Sequence, residues 1–301
     1  MRDLIIGTRG SKLALWQANF VKDQLEKLGA EVSLKVIKTQ GDKIQHLSFD
    51  KLEGKGFFTK ELEEALLRGD VDLAVHSMKD LPTQHPEGLV ITAVSHRQNP
   101  ADWLLIRPEA VAAEERMQVK QQARVGTSSL RRKTQLLHFR GDLTISDLRG
   151  NVPTRIQKLR DGKYDAIVLA AAGITRLDLD LSDLHVFKFD PKEFIPAAAQ
   201  GVLAYETAAD DRELRLFLKQ LHHVEVAAAT NVERKMLQLL EGGCHLPFGA
   251  YCEPDIMGNY HAYAAYAESA DSAVRFAMAS SSTTSGLAET VLAQLGVAVA
   301  E

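Results

Sequence analysis

The strongest constraint on the fold is a weak internal duplication. Asp3-Leu4-Ile5-Ile6-Gly7-Thr8 is a short apolar run that ends in Gly-Thr and leads through a polar turn into a helical pattern, and Ala123-Arg124-Val125-Gly126-Thr127 repeats the arrangement. In each half a helical stretch then runs into an apolar strand. Residues from Thr59 lead into Val71-Asp72-Leu73-Ala74-Val75, and residues from Thr154 lead into Lys163-Tyr164-Asp165-Ala166-Ile167-Val168-Leu169-Ala170. Strands alternating with helices predict parallel βαβ units. Two such lobes in one chain predict a cleft, a common place for a ligand. The length of 301 residues accommodates two domains and allows a third.

Local signals place the elements. Ser11 can cap a helix whose apolar positions Trp16, Phe20, Val21, Leu25 and Leu28 keep helical spacing, and Gly29 ends it. Ser128 is expected to cap the second helix, closed by Gly141, and Asn151 with Pro153 starts the third. The Ala- and Pro-rich stretch 193–201 reads as a crossover, and two helices are expected over 211–240. Beyond the flexible Glu241-Gly242-Gly243-Cys244, residues 260–268 and 273–281 alternate like antiparallel strands before a helix near 286–295. That last region reads as a small third α+β domain. The segment 41–60, with Gly41, Gly54 and Gly56 among charges, is longer than most connections and is either a lid over a site or a surface loop.

Charge excludes several functions. With 36 Lys+Arg against 40 Asp+Glu the net charge is −4, opposite to the basic excess of a nucleic-acid binder. No apolar run is long enough to span a membrane, and the segment from Met1 to Thr8 carries no leader pattern, so a cytoplasmic location is expected. Two cysteines are too few for a disulfide framework, and neither they nor the ten histidines show metal-ligand spacing. Neither a phosphate-binding lysine loop nor a Gly-x-Gly-x-x-Gly helix opening is present, which disfavours nucleotide chemistry.

The informative charges are arginines at element ends. Arg9 lies in the turn opening the first helix, Arg131 and Arg132 in the first turn of the second, and Arg155 in the first turn of the third. Arg149 ends a strand, and Arg176 follows the strand end Ala170–Gly173. Cations at helix N-termini oppose the helix dipole. Either each is solvated or paired with an acid, or together they hold a ligand with several negative charges at free backbone N–H groups and guanidinium forks. Asp80, just past a strand, either stabilises a cation or ligand N–H group or closes an Asx-type turn before Leu81-Pro82. The neighbouring His76 and Ser77 make no triad with it, since triad members converge from separate elements. Cys244 is either an inert core residue, as a lone cysteine usually is, or, after two glycines in a loop, an exposed reactive thiol, and Cys252 reads as core.

Six segments together resemble hydroxymethylbilane synthase (porphobilinogen deaminase), nearly end to end. They are Thr8-Arg9-Gly10-Ser11-Lys12-Leu13-Ala14-Leu15-Trp16-Gln17-Ala18, the run from Gly54 to Glu63, His76-Ser77-Met78-Lys79-Asp80-Leu81-Pro82, Gly126-Thr127-Ser128-Ser129-Leu130-Arg131-Arg132, the run from Leu148 to Arg155, and Gly242-Gly243-Cys244-His245-Leu246-Pro247. The resemblance implies two periplasmic-binding-protein-like α/β lobes around a cleft plus a small C-terminal α+β domain, divided as 1–96 with 197–217, 97–196, and 218–301. It implies a dipyrromethane cofactor joined by a thioether to Cys244, and head-to-tail joining of four porphobilinogen molecules with loss of ammonia. Hydrolysis then releases 1-hydroxymethylbilane for uroporphyrinogen III synthase, in haem and porphyrin biosynthesis. Asp80 would be catalytic. Ser77, Lys79, Ser129, Arg131 and Arg132 would bind the cofactor with Cys244. Arg9, Ser11, Gln17, Arg149, Arg155, Arg176 and Gln200 would bind substrate, with Lys55 and Phe58 in the lid. The resemblance implies a monomer with no metal, no nucleic acid and no membrane. The chain departs from the pattern at Lys12, usually Pro, at Ala101, usually Arg, and at Ala199, usually Gly.

Overall fold

The computed structural model describes residues 3–39, 59–240 and 246–297. Lys55, Phe58, Cys244 and all of the expected lid but its last two residues lie outside them. The chain divides into two compact units, Met1–Gln98 with Gly201–Ala228, and Asn99–Gln200 with Ala229–Glu301.

In the first unit, β1 (Leu4–Thr8) runs into α1 (Lys12–Lys27), then β2 (Val32–Val36), α2 (Lys60–Leu67), β3 (Leu73–Ser77) and β4 (Leu89–Val94). Ser11 caps α1 as expected, its hydroxyl accepting the Ala14 N–H at 3.2 Å. Gln17, Ala18, Val21 and Leu25 are its buried positions, and Gly29 turns the chain at φ 86°. In the second unit, β5 (Asp102–Ile106) precedes β6 (Arg124–Gly126), α3 (Leu130–Phe139), β7 (Thr144–Ser146), α4 (Val152–Arg160), β8 (Ala166–Ala170), α5 (Ala171–Arg176) and β9 (His185–Lys188). The chain then returns to the first unit as β10 (Leu203–Ala208), continuing into α6 (Arg212–Leu218) and α7 (Val224–Leu239).

The duplication is real and extends to topology. The first sheet has the order β2-β1-β3-β10-β4 and the second β7-β6-β8-β5-β9. Strand for strand, each is the other's equivalent. Only β1, β2 and β3, or β6, β7 and β8, run parallel. The expected parallel βαβ units are present, and each sheet adds antiparallel strands to them. The strand arriving directly from each crossover, β10 or β5, enters the sheet antiparallel. Equivalent glycines occupy equivalent places: Gly7 pairs with Ala74 and Gly126 with Ile167. A Cβ on Gly126 would lie 2.8 Å from the Tyr164 ring, and one on Gly7 3.1 Å from Leu62 and Val71. Close packing over the strand, not an unusual dihedral, requires both.

The third sheet is the meander β11 (Phe248–Pro254), β12 (Tyr260–Tyr266) and β13 (Arg275–Ser281), followed by α8 (Leu287–Gln294). Its core joins Val232 and Met236 of α7 to Ala250, Cys252, Ala262, Val291 and Leu292. Cys252 is buried, as its alternating apolar context predicts.

Candidate active site

Parallel strands deliver their carboxyl ends to one edge of a sheet, where open α/β sheets bind ligands. In the first unit that edge carries Arg9 and Ser11 after β1, and Ser77, Lys79 and Asp80 at the end of β3. A single 3₁₀ turn, Met78–Asp80, follows β3. It is pinned by the Met78 N–H on the Val202 carbonyl at 2.9 Å and closed by Leu81 N–H on the Met78 carbonyl at 3.2 Å. Gln17 reaches across from α1 and donates its Nε2 to the Ser77 hydroxyl at 2.8 Å, so two expected site residues meet directly. Asp80 is exposed, Lys79, Arg9 and Ser11 are half-buried, and Gln17 is buried. A carboxylate held out from a rigid turn is available for chemistry rather than for packing.

Beneath that edge sits a buried acid. Glu206 on β10 is fully buried, with Oε2 3.1 Å from His76 Nε2 and Oε1 3.5 Å from His85 Nδ1. Burial pushes its carboxyl up, and the His76 and His85 contacts more than reverse this, leaving it at about 2. Glu63 of α2 lies in the same region and is pushed up by burial.

In the second unit the same edge carries Ser129, Arg131 and Arg132 after β6, Arg149 after β7 and Arg155 in the first turn of α4. Arg176 is placed differently from expectation. It ends the six-residue helix α5, where the dipole favours a cation, and is buried. Ser128 does not cap α3. The N-cap is Ser129, which makes no side-chain capping bond, and the Ser128 hydroxyl instead exchanges hydrogen bonds of 3.0 Å with the backbone of Leu148. Arg155 donates Nε to the Gly150 carbonyl at 2.6 Å, which fixes the turn after β7 against α4.

Helix α3 buries Arg131, Arg132, Thr134 and Gln135. The reason is Asp102, the first residue of β5, which is fully buried. Its Oδ2 accepts Arg131 Nη2 at 2.8 Å, and its Oδ1 accepts Arg132 Nη2 at 2.7 Å and Gln200 Nε2 at 3.0 Å. Arg131 also donates to the Ile195 carbonyl at 2.8 Å and Arg132 to the Val168 carbonyl at 3.2 Å. Burial pushes the Asp102 carboxyl up, but the two guanidiniums hold it well below the usual carboxylate range. Burial in turn pushes Arg131 down, against the support of Asp102. Gln200 donates to the Pro100 carbonyl at 2.7 Å as well, so its side chain ties the two chain crossings together. Asp102 was invisible as a functional residue in the sequence. The signal that points to it is the pair of arginines in the first turn of a helix, which requires a buried acid.

The returning crossover is held by a second hidden acid. Glu233 of α7, fully buried, accepts the Ala199 N–H at 2.6 Å and the Cys252 N–H at 2.7 Å. Ala199 has φ 60°, the left-handed region. Its side chain therefore carries a strain of about 1 kcal/mol that a glycine would not.

With this geometry in place, comparison with known proteins is decisive. A sequence model described as porphobilinogen deaminase, dipyrromethane cofactor-binding domain, matches residues 4–216. The chain belongs to the porphobilinogen deaminase family. It is 46% identical over 270 residues to the porphobilinogen deaminase of Chloroherpeton thalassium, covering 89% of this chain and 83% of that protein. It is 49% identical over 246 residues to that of Nitratiruptor sp., covering 82% of this chain and 77% of the relative. Among solved structures, a periplasmic binding protein of Salmonella typhimurium with high arginine specificity aligns at TM-score 0.42 and 13% identity, over 73% of this chain and 92% of its own.

The dipyrromethane group of porphobilinogen deaminases is built from two pyrroles bearing acetate and propionate arms. The chain's own residues fit such a group. Two buried guanidiniums share a single carboxylate, and Arg132 Nε is buried with no hydrogen-bond partner among the described residues. That arrangement calls for a further anion.

Proposed function

We propose that this chain condenses four porphobilinogen molecules head to tail and releases 1-hydroxymethylbilane, primed by a dipyrromethane on Cys244. The observation that carries the reading is what the two equivalent sheet edges hold: an exposed carboxylate, Asp80, with Arg9 and Lys79 at one, and a set of arginines around a buried pair at the other. When bound, the dipyrromethane supplies the nucleophilic pyrrole carbon from which the product chain starts. Ser129, Arg131, Arg132, Ser77 and Lys79 hold its carboxylates and orient it. Asp80 stabilises the positive charge that develops on porphobilinogen as its aminomethyl C–N bond breaks and ammonia leaves, which is electrostatic catalysis where charge appears. Arg9, Arg149, Arg155 and Arg176, with Ser11, Gln17 and Gln200, receive acetate and propionate arms, each charge-assisted contact being worth about 1.5–3 kcal/mol. Lys55 and Phe58 belong to the covering segment. Residues 1–96 with 197–217, 97–196 and 218–301 act as three domains of a cytoplasmic monomer, whose product is taken up by uroporphyrinogen III synthase. No helix among the described residues is long and apolar enough to cross a membrane.

The test is an intact-protein mass on purified chain and on Cys244→Ser, before and after incubation with porphobilinogen. The expected result is an added mass of two porphobilinogen units less their ammonias, absent from the variant, with ammonia release only from the loaded chain. A bare polypeptide mass throughout would leave a binding protein rather than a transferase.

A further inference from the structure

The charges around Asp102 do not balance, and the imbalance assigns this residue a role. One carboxylate faces two guanidiniums, and all three side chains are at least nine-tenths buried. Among the described residues, the further hydrogen-bond partners of these three side chains include Gln200 and the carbonyls of Ile195 and Val168, all neutral. Guanidinium does not lose its proton in a protein, so the trio keeps a net charge of plus one in a place where an uncompensated charge is costly. Each Asp102 oxygen takes one fork, which fixes both arginines in direction, and the unpaired Arg132 Nε–H marks where the pair is still short of an acceptor.

We infer that Asp102 is the positioning residue of the Arg131–Arg132 pair, orienting both forks and cancelling one of their two charges so that the pair takes one ligand carboxylate. The inference rests on the reading of those arginines as cofactor-holding, and it adds which residue sets their charge and direction. Without Asp102 the pair would carry two unopposed charges and no fixed geometry. With a second acid it would have no charge left for a ligand. The Gln200 bond to the same Oδ1 links this setting to the chain crossing.

The test separates charge from packing. Thermal midpoints are measured on the full-length, cofactor-free chain for wild type, Arg132→Gln, Asp102→Asn and the double variant Asp102→Asn/Arg131→Gln. If the cluster carries a surplus cation, Arg132→Gln stays within about 3 °C of wild type, roughly 1 kcal/mol for a domain of this size. Asp102→Asn falls far below that or does not fold, and the double variant, again at plus one, recovers most of the loss. Loading with porphobilinogen, followed by intact mass, then slows about tenfold or more in the double variant, which lacks Arg131 as well as the residue that orients Arg132. An Arg132→Gln loss as large as that of Asp102→Asn would mean that the trio is a balanced structural unit, and the inference would fall. So would wild-type loading in the double variant. Midpoints in the expected order with no mass gained by wild type would leave the charge setting intact and overturn the transferase reading instead.

Discussion

The two equivalent sheets bury one acid each on the same strand and use it in opposite ways. Both β10 and β5 enter antiparallel beside the third parallel strand, and each carries a fully buried carboxylate, Glu206 or Asp102, opposite an alanine, Ala74 or Ala170. Glu206 is answered by two histidines rather than by permanently charged groups, and serves the fold beneath the Asp80 turn. Asp102 is answered by arginines, which keep their charge, so its cluster stays cationic and needs a ligand. A duplicated framework thus holds its two buried acids with partners of different chemistry, histidines in one sheet and arginines in the other.

The comparison is most exposed at Asp80. Asp80→Ala is expected to lower kcat by about 100-fold or more while leaving the thermal midpoint nearly unchanged, because the side chain is exposed. Steady-state kinetics with porphobilinogen beside a melting curve would check it, and near-normal turnover would remove Asp80 from the chemistry. Next in size is Glu206→Gln. The folded-state value of about 2 lies below the ordinary 4.5, so this group adds stability above pH 4.5 that is lost as pH falls through 2. The loss on substitution is on the order of 3 kcal/mol near neutrality, and urea unfolding of the variant should show a flatter dependence between those pH values. An unchanged acid limb would mean that Glu206 is not held ionised by its histidines.

Arg149→Leu or Arg155→Leu, at the basic edge, should cost about 1.5–3 kcal/mol of carboxylate binding each. Accumulation of shorter enzyme-bound intermediates, resolved by mass, is the expected sign. A wild-type profile would make these residues purely structural, a role Arg155 already has through Gly150. The smallest effect sits at the crossover. Ala199→Gly should raise stability by about 1 kcal/mol, a midpoint shift of about 2–4 °C, and a fall would show that the entropy glycine adds to the unfolded chain outweighs the relief of the dihedral.

Much of this was legible in the residues. The repeated strand-Gly-Thr-helix pattern announces two like lobes, and the Ser11 and Asn151 caps and the C-terminal alternation place their elements, because caps and periodicities act within a few residues. The arginines and Asp80 stand out by their positions at element ends. Ser128 and Arg176 stand elsewhere than expected for two reasons, one long-range and one local. Ser128 is claimed by Leu148, twenty residues away in sequence, and Arg176 by a short helix that a run of alanines and a glycine does not announce.

The sequence by itself determined the duplication, the helix starts and which residues stand at the carboxyl ends of strands. These depend on local capping, side-chain period and backbone freedom. Only the tertiary structure decided that the strand after each crossover reverses direction, that Asp102 lies between Arg131 and Arg132, and that Glu233 grips Ala199 and Cys252. Those pairings span 19 to 34 residues. A buried charge takes whatever partner the packed fold brings within about 3 Å, and no local pattern names that partner.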